Sequence, residues 1–231
     1  IILSLLSKLI IFLPILDANS ILTHISIVIT KETIVINAPI KVKIYKKLLG
    51  FNSNIYPNIK DKIIILHVGS SACGKKASIT RFINNFNKLP DHIKKCIAVE
   101  NDDKVYNIKD VLELCHKINV PMVLDYHHFI CNNEKEDIND YLKEIIDTWD
   151  GKLPKMHFSS PKSKLKKEFR SHSDYINKEC FIKFINILKK QDKDIDIMLE
   201  AKAKDDAVSR LVRCLKYETN YKFLDETTFI I

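Results

Sequence analysis

Glycine is scarce in this chain, 4 of 231 residues, while Ile, Lys and Asn are heavily used. That imbalance reads as compositional drift and not as a special architecture. No CxxC pair occurs among the six cysteines, Cys73, Cys96, Cys115, Cys131, Cys180 and Cys214, and their wide scatter resembles neither a zinc knuckle nor a disulfide framework. Reduced thiols in an intracellular compartment are therefore expected. The apolar opening stretch, residues 1–16, is short of the roughly 20 residues that span a bilayer, and Lys8 and Pro14 interrupt it. It also lacks the basic start and the small-residue cleavage site of a signal peptide. A buried helix or strand is expected there, with no membrane association. The chain does not begin with Met, which fits a fragment. No internal repeat and no low-complexity linker is present.

What is there suits an ordinary globular protein. Apolar residues make up 46% and charged residues 29%, and the length allows one large domain or two small ones. The formal charge of +8 admits an anionic partner such as nucleic acid, although a Lys-rich solvated surface gives the same number. From residue 62 onward, short apolar runs alternate with longer amphipathic stretches. Strands are expected at residues 63–68, 96–100, Met122–Asp125, 155–158 and 195–199, and helices at Lys75–Asn87, Ile108–Ile118, 138–149 and 179–191. Such alternation indicates a parallel sheet with crossover helices, and a TIM barrel or an open doubly wound sheet both fit. Before residue 62 the pattern is weaker. Strands are expected at 24–29 and Thr33–Asn37, a helix at 40–49 and a loop at 50–61.

The chemistry is concentrated where the strands end. His67 closes the first run, Glu100 the second and Asp125 the third, followed by His127 and His128. His157 lies in the fourth, and Glu200 ends the fifth. Strand C-termini of a parallel barrel converge on one face, where active sites are built. One such residue is more often a cap or a satisfied core group, but five consecutive strands delivering His, Asp or Glu point to a metal site. Mixed imidazole and carboxylate ligands suit Mn²⁺, Zn²⁺ or Fe, not a Ca²⁺ site of pure oxygen. The residues alone thus indicate a multinuclear metal hydrolase or a metal isomerase. A competing motif, Gly69-Ser-Ser-Ala-Cys-Gly-Lys75, comes close to the phosphate-cradling GxxxxGK[ST] loop. It has Lys76 where a Ser or Thr should hold Mg²⁺, and it leaves the series of strand-end ligands unexplained.

Several long segments resemble the UV-damage endonuclease family. They are His67-Val-Gly, Glu100-Asn-Asp-Asp103, Asp125-Tyr-His-His128, Lys155-Met-His157-Phe-Ser, His172-Ser-Asp174-Tyr175 and Met198-Leu-Glu200-Ala-Lys202-Ala-Lys204-Asp205. Together they cover residues 62–213 in order. The resemblance implies a single (β/α)8 TIM-barrel domain over residues 1–231, incomplete or divergent at its N-terminal strands. It implies two or three divalent metals, commonly Mn²⁺, ligated by His67, Glu100, Asp125, His128, His157, His172 and Glu200, with Glu100 bridging. It further implies Glu100, Lys155 and His172 as catalytic residues, Lys155 matching a lysine that can be modified at the metal site. The partner would be damaged double-stranded DNA, nicked 5′ of the lesion by a monomeric protein. Lys202 and Lys204 would be phosphate contacts or simply a solvated loop.

Residues 29–39 depart from the family pattern of His-Pro-x-Gln-aromatic followed by Asn-Ser-Pro. Ile29 stands at the metal-binding His, and Glu32 and Thr33 stand at the lesion-probing pair. Loss of one imidazole predicts a weakened metal position, and His24 lies five residues too early to replace it. Three functions therefore compete: a lesion-directed endonuclease, a degenerate relative that binds DNA or metal without cleaving, and a sugar-type isomerase. The length of the matching segments argues against the isomerase.

Overall fold

The computed structural model describes residues 33–37, 41–45, 63–225 and 228–231. The first paired segments are β1 (Thr33–Asn37) and β2 (Lys41–Tyr45). Next come β3 (Ile64–Leu66), α1 (Lys75–Asn87), α2 (Asp91–Lys94), β4 (Ile97–Glu100), α3 (Ile108–Ile118) and β5 (Met122–Asp125). Then follow α4 (Tyr126–Cys131), α5 (Asn139–Asp147), β6 (Lys155–Ser159), α6 (Lys178–Lys189) and β7 (Ile195–Glu200). The chain ends with α7 (Asp205–Glu218), β8 (Lys222–Phe223) and β9 (Thr228–Ile230).

Strands β3, β4, β5, β6 and β7 lie side by side in chain order, every pair parallel, and so form a half-barrel α/β sheet. All five expected strands are present within two residues of their expected limits, because each is a run of β-branched and apolar residues bounded by turn signals. Helices occupy the connections, since a parallel crossover needs a dozen or more residues. Asn107 starts α3 with a reciprocal capping box: its side chain accepts from Asp110 N at 3.1 Å, and its own N–H donates to Asp110 Oδ2 at 3.0 Å. Asn119 ends that helix in the left-handed conformation, φ 54°. Asn177 caps α6 through Cys180 N at 2.8 Å.

Among the described residues, five parallel strands account for part of the expected (β/α)8 barrel. Beyond β7 the sheet continues antiparallel through β1, β2, β9 and β8. Only residues 38–40 separate β1 from β2, far too few for the helical crossover that joins parallel strands. This segment therefore cannot be one of the barrel's βα units. The helix expected at 40–49 is overturned, as Lys41–Tyr45 is strand. Val42 and Ile44 alternate with lysines in the period of two that a strand between β1 and β9 satisfies. The expectations for residues 1–16, 24–29 and 50–61 fall outside the described residues.

Helix-side residues of the parallel strands, including Ile97, Val99, Met122, Leu124, Met156, Phe158, Ile195 and Ile197, form one continuous core with the helices. Phe158 packs on Phe181 and Phe184 of α6 and on Tyr126, with ring centroids 5.3–6.0 Å apart. That stack fixes β6 against its own crossover helix, and with it the height at which His157 stands. All six cysteines are free. No described helix is long and apolar enough to cross a membrane.

Candidate metal centre

Side chains at i and i+2 of a strand share a face, and this places the ligands above an apolar floor. Ile65, Ala98 and Val123, each two residues before His67, Glu100 and Asp125, pack with Trp149 and Ile63. The Trp149 indole N–H donates to the Met122 carbonyl at 2.8 Å and so is satisfied within that floor. Glu100 and Asp125 are the last residues of β4 and β5, and both are buried. Asp125 also caps α4: its Oδ1 accepts from His128 N at 2.8 Å, so one carboxylate orients the helix carrying the next ligand.

All seven ligand candidates join one linked cluster. His157 Nδ1 lies 2.8 Å from Glu100 Oε1, and His67 Nε2 lies 3.4 Å from Glu100 Oε2. His128 Nδ1 is 3.8 Å from Glu100 Oε1 and 3.6 Å from Asp125 Oδ2. Glu200 extends the chain of contacts, 3.6 Å from His157 Nδ1 through Oε1 and 3.6 Å from His172 Nδ1 through Oε2. Among the described residues, two triads have ligand atoms all within 4.8 Å of one another: His67–Glu100–His128 and Glu100–Asp125–His157. Glu100 belongs to both.

The electrostatics fit divalent cations. Burial raises the Glu100 pKa, but the charge and hydrogen bond of His157, with the charge of His67, outweigh it and hold the group below its usual range. Asp125 has no such rescue. Burial first, then Glu100 and Glu200, push its carboxyl up to about 7 against the pull of His128. Its Oδ2 is buried without a hydrogen-bond partner. Burial depresses the pKa of His128, yet the neighbouring Asp125 and Glu100 carboxylates raise it overall. Three carboxylates gathered at a water-poor strand end are costly unless cations neutralise them, and an unpartnered carboxylate oxygen facing imidazoles offers a donor to such a cation.

Lys155 is on the cluster's side of β6 but two residues below His157, and its Nζ donates to Asp196 Oδ2 at 2.7 Å. It belongs to neither triad. Lys202 and Lys204 are exposed just past Glu200. Lys75, the lysine of the phosphate-loop-like segment, turns to Asp110 Oδ2 at 2.6 Å. His24, Ile29 and Glu32 lie outside the described residues, while Thr33 opens β1 opposite Met198 and Tyr45.

Two supporting residues were not legible as such. Asn101 clamps the ends of β4 and β5: its amide donates to the Asp125 carbonyl at 3.0 Å, and Asp125 N donates to its Oδ1 at 2.9 Å. Its backbone carbonyl accepts from His128 Nδ1 at 2.9 Å. The position next to Glu100 was the available signal. His127 faces away from the triads, because consecutive helical residues point about 100° apart. Its Nε2–H donates to the Phe169 carbonyl at 2.8 Å, and Nδ1 meets Ser159 Oγ at 2.6 Å. Burial lowers its pKa, in keeping with a neutral ring that donates at one nitrogen and accepts at the other. Outer partners of metal ligands typically carry 10–100-fold in affinity. Asn101→Ala is therefore expected to weaken Mn²⁺ binding roughly 10–100-fold, measured by titration calorimetry, whereas unchanged affinity would remove Asn101 from the site.

Comparison with known proteins finds relatives of one kind. A family model described as UV-endonuclease UvdE matches residues 24–226. A UV DNA damage endonuclease of Bacillus cereus (strain B4264) is 44% identical over 151 residues, covering 64% of this chain and 47% of that protein. One of Bacillus thuringiensis subsp. konkukian (strain 97-27) is 39% identical over 188 residues, covering 80% and 56%. The crystal structure of SacUVDE is similar at a TM-score of 0.59 and 37% identity, covering 67% of this chain and 51% of that one. The chain spans about half the length of the curated relatives it matches.

Proposed function

Because the chain belongs to the UV-endonuclease UvdE family, we propose that it is a metal-dependent DNA repair endonuclease nicking the phosphodiester 5′ of UV photoproducts. The observation that carries this reading is the linkage of seven ligand candidates around Glu100, at the carboxyl ends of parallel strands. Two or three divalent metals, Mn²⁺ by preference for mixed nitrogen and oxygen ligands, would be held by His67, Glu100, Asp125, His128, His157, His172 and Glu200. Bound there, they would supply Lewis acidity toward the scissile phosphate and a low-pKa water.

The chain's own residues set the geometry. Glu100 would hold both triads at a common oxygen pair, and the Asn101 clamp would keep β4 and β5 in register beneath it. His172, on the loop after β6, would approach from the solvent side through Glu200. An ammonium has no lone pair, so Lys155 would enter the ligand set only after modification and after leaving Asp196; otherwise it supplies positive charge below the carboxylates. Residues 1–231 would form one barrel-type domain acting as a monomer inside the cell, its closure drawing on strands beyond the five parallel ones.

A second reading, binding without cleavage, is favoured by Ile29, Glu32 and Thr33, where the family pattern has an imidazole and the lesion-probing pair. One assay separates the two. The protein is incubated with Mn²⁺ and a duplex carrying a single photoproduct, and strand breaks are mapped. A nick immediately 5′ of the photoproduct supports the endonuclease, and retention of the duplex without any nick supports the second reading.

A further inference from the structure

The loop between β6 and α6 departs from an ordinary connection. It closes on itself, since Pro161 bridges His172 and Lys162 N donates to the Ser171 carbonyl at 2.7 Å, giving the compact surface loop with neighbouring ends known as an Ω-loop. Inside it a tight turn is formed: Glu168 N and Phe169 N both donate to the Leu165 carbonyl, at 2.8 and 2.9 Å, and Leu165 N donates to Ser163 Oγ at 3.1 Å. The Phe169 carbonyl is anchored on His127. Leu165 opens this turn and is 67% exposed. A leucine so exposed gains nothing for the fold.

Five cations surround it in sequence: Lys162, Lys164, Lys166, Lys167 and Arg170. Lys162 is committed to Glu168 at 2.6 Å, and Arg170 faces Asp103 at 3.9 Å. Lys164, Lys166 and Lys167 are exposed and have no acidic partner among the described residues. The loop after β7 adds to the same side, because Lys202 N and Ala203 N donate to the Ser173 and Asp174 carbonyls at 3.1 and 3.0 Å. The base of this structure is His172, itself linked to Glu200 of the metal cluster.

We propose that residues 161–172 form a DNA-engaging wedge, in which Lys164, Lys166 and Lys167 grip backbone phosphates while Leu165 enters the base stack next to the metal centre. This rests on the endonuclease reading and assigns part of its substrate recognition to a loop remote in sequence from the altered residues 29–33. Apolar side chains flanked by cations are the means by which proteins unstack a base step and bend a duplex, and the phosphate contacts make such binding salt-sensitive. A membrane surface fits less well, because one leucine with a few lysines falls short of the two anchoring signals that stable attachment takes. The pinned turn also presents the leucine at little ordering cost on binding.

The test uses a photoproduct-bearing duplex with 2-aminopurine beside the lesion, followed by fluorescence and by affinity as a function of salt. Wild-type protein is expected to raise the fluorescence as the base unstacks. Leu165→Ala should abolish that rise while keeping the salt slope. Replacing Lys164, Lys166 and Lys167 together by Ala should lower the slope of log K against log salt by roughly 2–3, at about 0.9 per phosphate lost. All these positions are exposed, so folding and metal content should not change, and metal analysis of each variant checks this. If wild-type protein binds and nicks but both variants match it in slope and fluorescence, the wedge is refuted and the endonuclease reading survives. If wild-type protein binds no duplex, both fall together. Leu165-dependent binding to phosphatidylserine vesicles as tight as to the duplex would overturn the wedge in favour of a membrane role.

Discussion

Glu100→Gln protein is expected to fold, to lose at least one bound metal, and to cleave DNA roughly a thousandfold more slowly than wild type or not at all. The size of the effect follows from position. Each oxygen of Glu100 serves a different neighbour, Oε1 facing His157 and His128 and Oε2 facing His67, so both triads depend on one carboxylate. Gln keeps the shape and one acceptor oxygen but offers an amide N–H₂, which cannot ligate, on the other side. Lewis-acid stabilisation at such sites is worth several kcal/mol, and each 1.36 kcal/mol is tenfold in rate. Metal content per chain, measured with the cleavage rate on the same preparation, checks both halves. A variant that keeps its full metal complement and its activity would show that Glu100 is no bridge.

Asp125→Asn is expected to act in opposite directions on stability and on metal binding. The Asp125 carboxyl, fully buried and pushed up from 3.8 to about 7 without metal, binds a proton more tightly folded than unfolded. Stability therefore falls as pH rises through that interval and stays low above it, the unfolded state having already released its proton. Glu100, whose pKa is lowered, works the other way in both proteins, so the difference between variant and wild type isolates Asp125. Metal-free Asp125→Asn should be more stable than metal-free wild type by about 2 kcal/mol at pH 8, with the gap closing near pH 4. This is less than the full shift implies, since the Asn amide brings its own buried N–H. Adding Mn²⁺ should stabilise wild type increasingly as pH rises, because loading releases a proton, and should do little for the variant. Thermal melts at several pH values, with and without Mn²⁺, read this directly. Equal metal-free stability at pH 8 would mean that Asp125 bears no burial cost.

The clustering of the candidate ligands was largely legible in the sequence, for a physical reason. The carboxyl end of a parallel strand lands on the functional face whatever the rest of the fold does, so Glu100, Asp125 and Glu200 at strand ends, His67 just past one and His157 within one could be placed from the strands alone. His128 and His172 depended on family resemblance, because a short helix and an irregular loop carry them. The choice between His127 and His128 turned on helical phase, which a doublet does not reveal until the cap at Asp125 is known. Asn101 does its work through the backbone of β5, and its place next to Glu100 was the one signal for that contact. Within residues 33–45, the stretch Lys41–Tyr45 is where the reading was misled. Lys41–Tyr45 has apolar residues that suit a short helix or a strand equally, and pairing with β1 and β9 decided the matter. Antiparallel extension of the sheet past β7 is a tertiary outcome of that pairing.

Anomalous diffraction from Mn²⁺-loaded crystals tests the central claim most directly. The account predicts at least two peaks, one among His67, Glu100 and His128 and another among Glu100, Asp125 and His157, about 3.5–4 Å apart as in two-metal sites. A single peak out of reach of Glu100, or no peak within the cluster at saturating Mn²⁺, would contradict it.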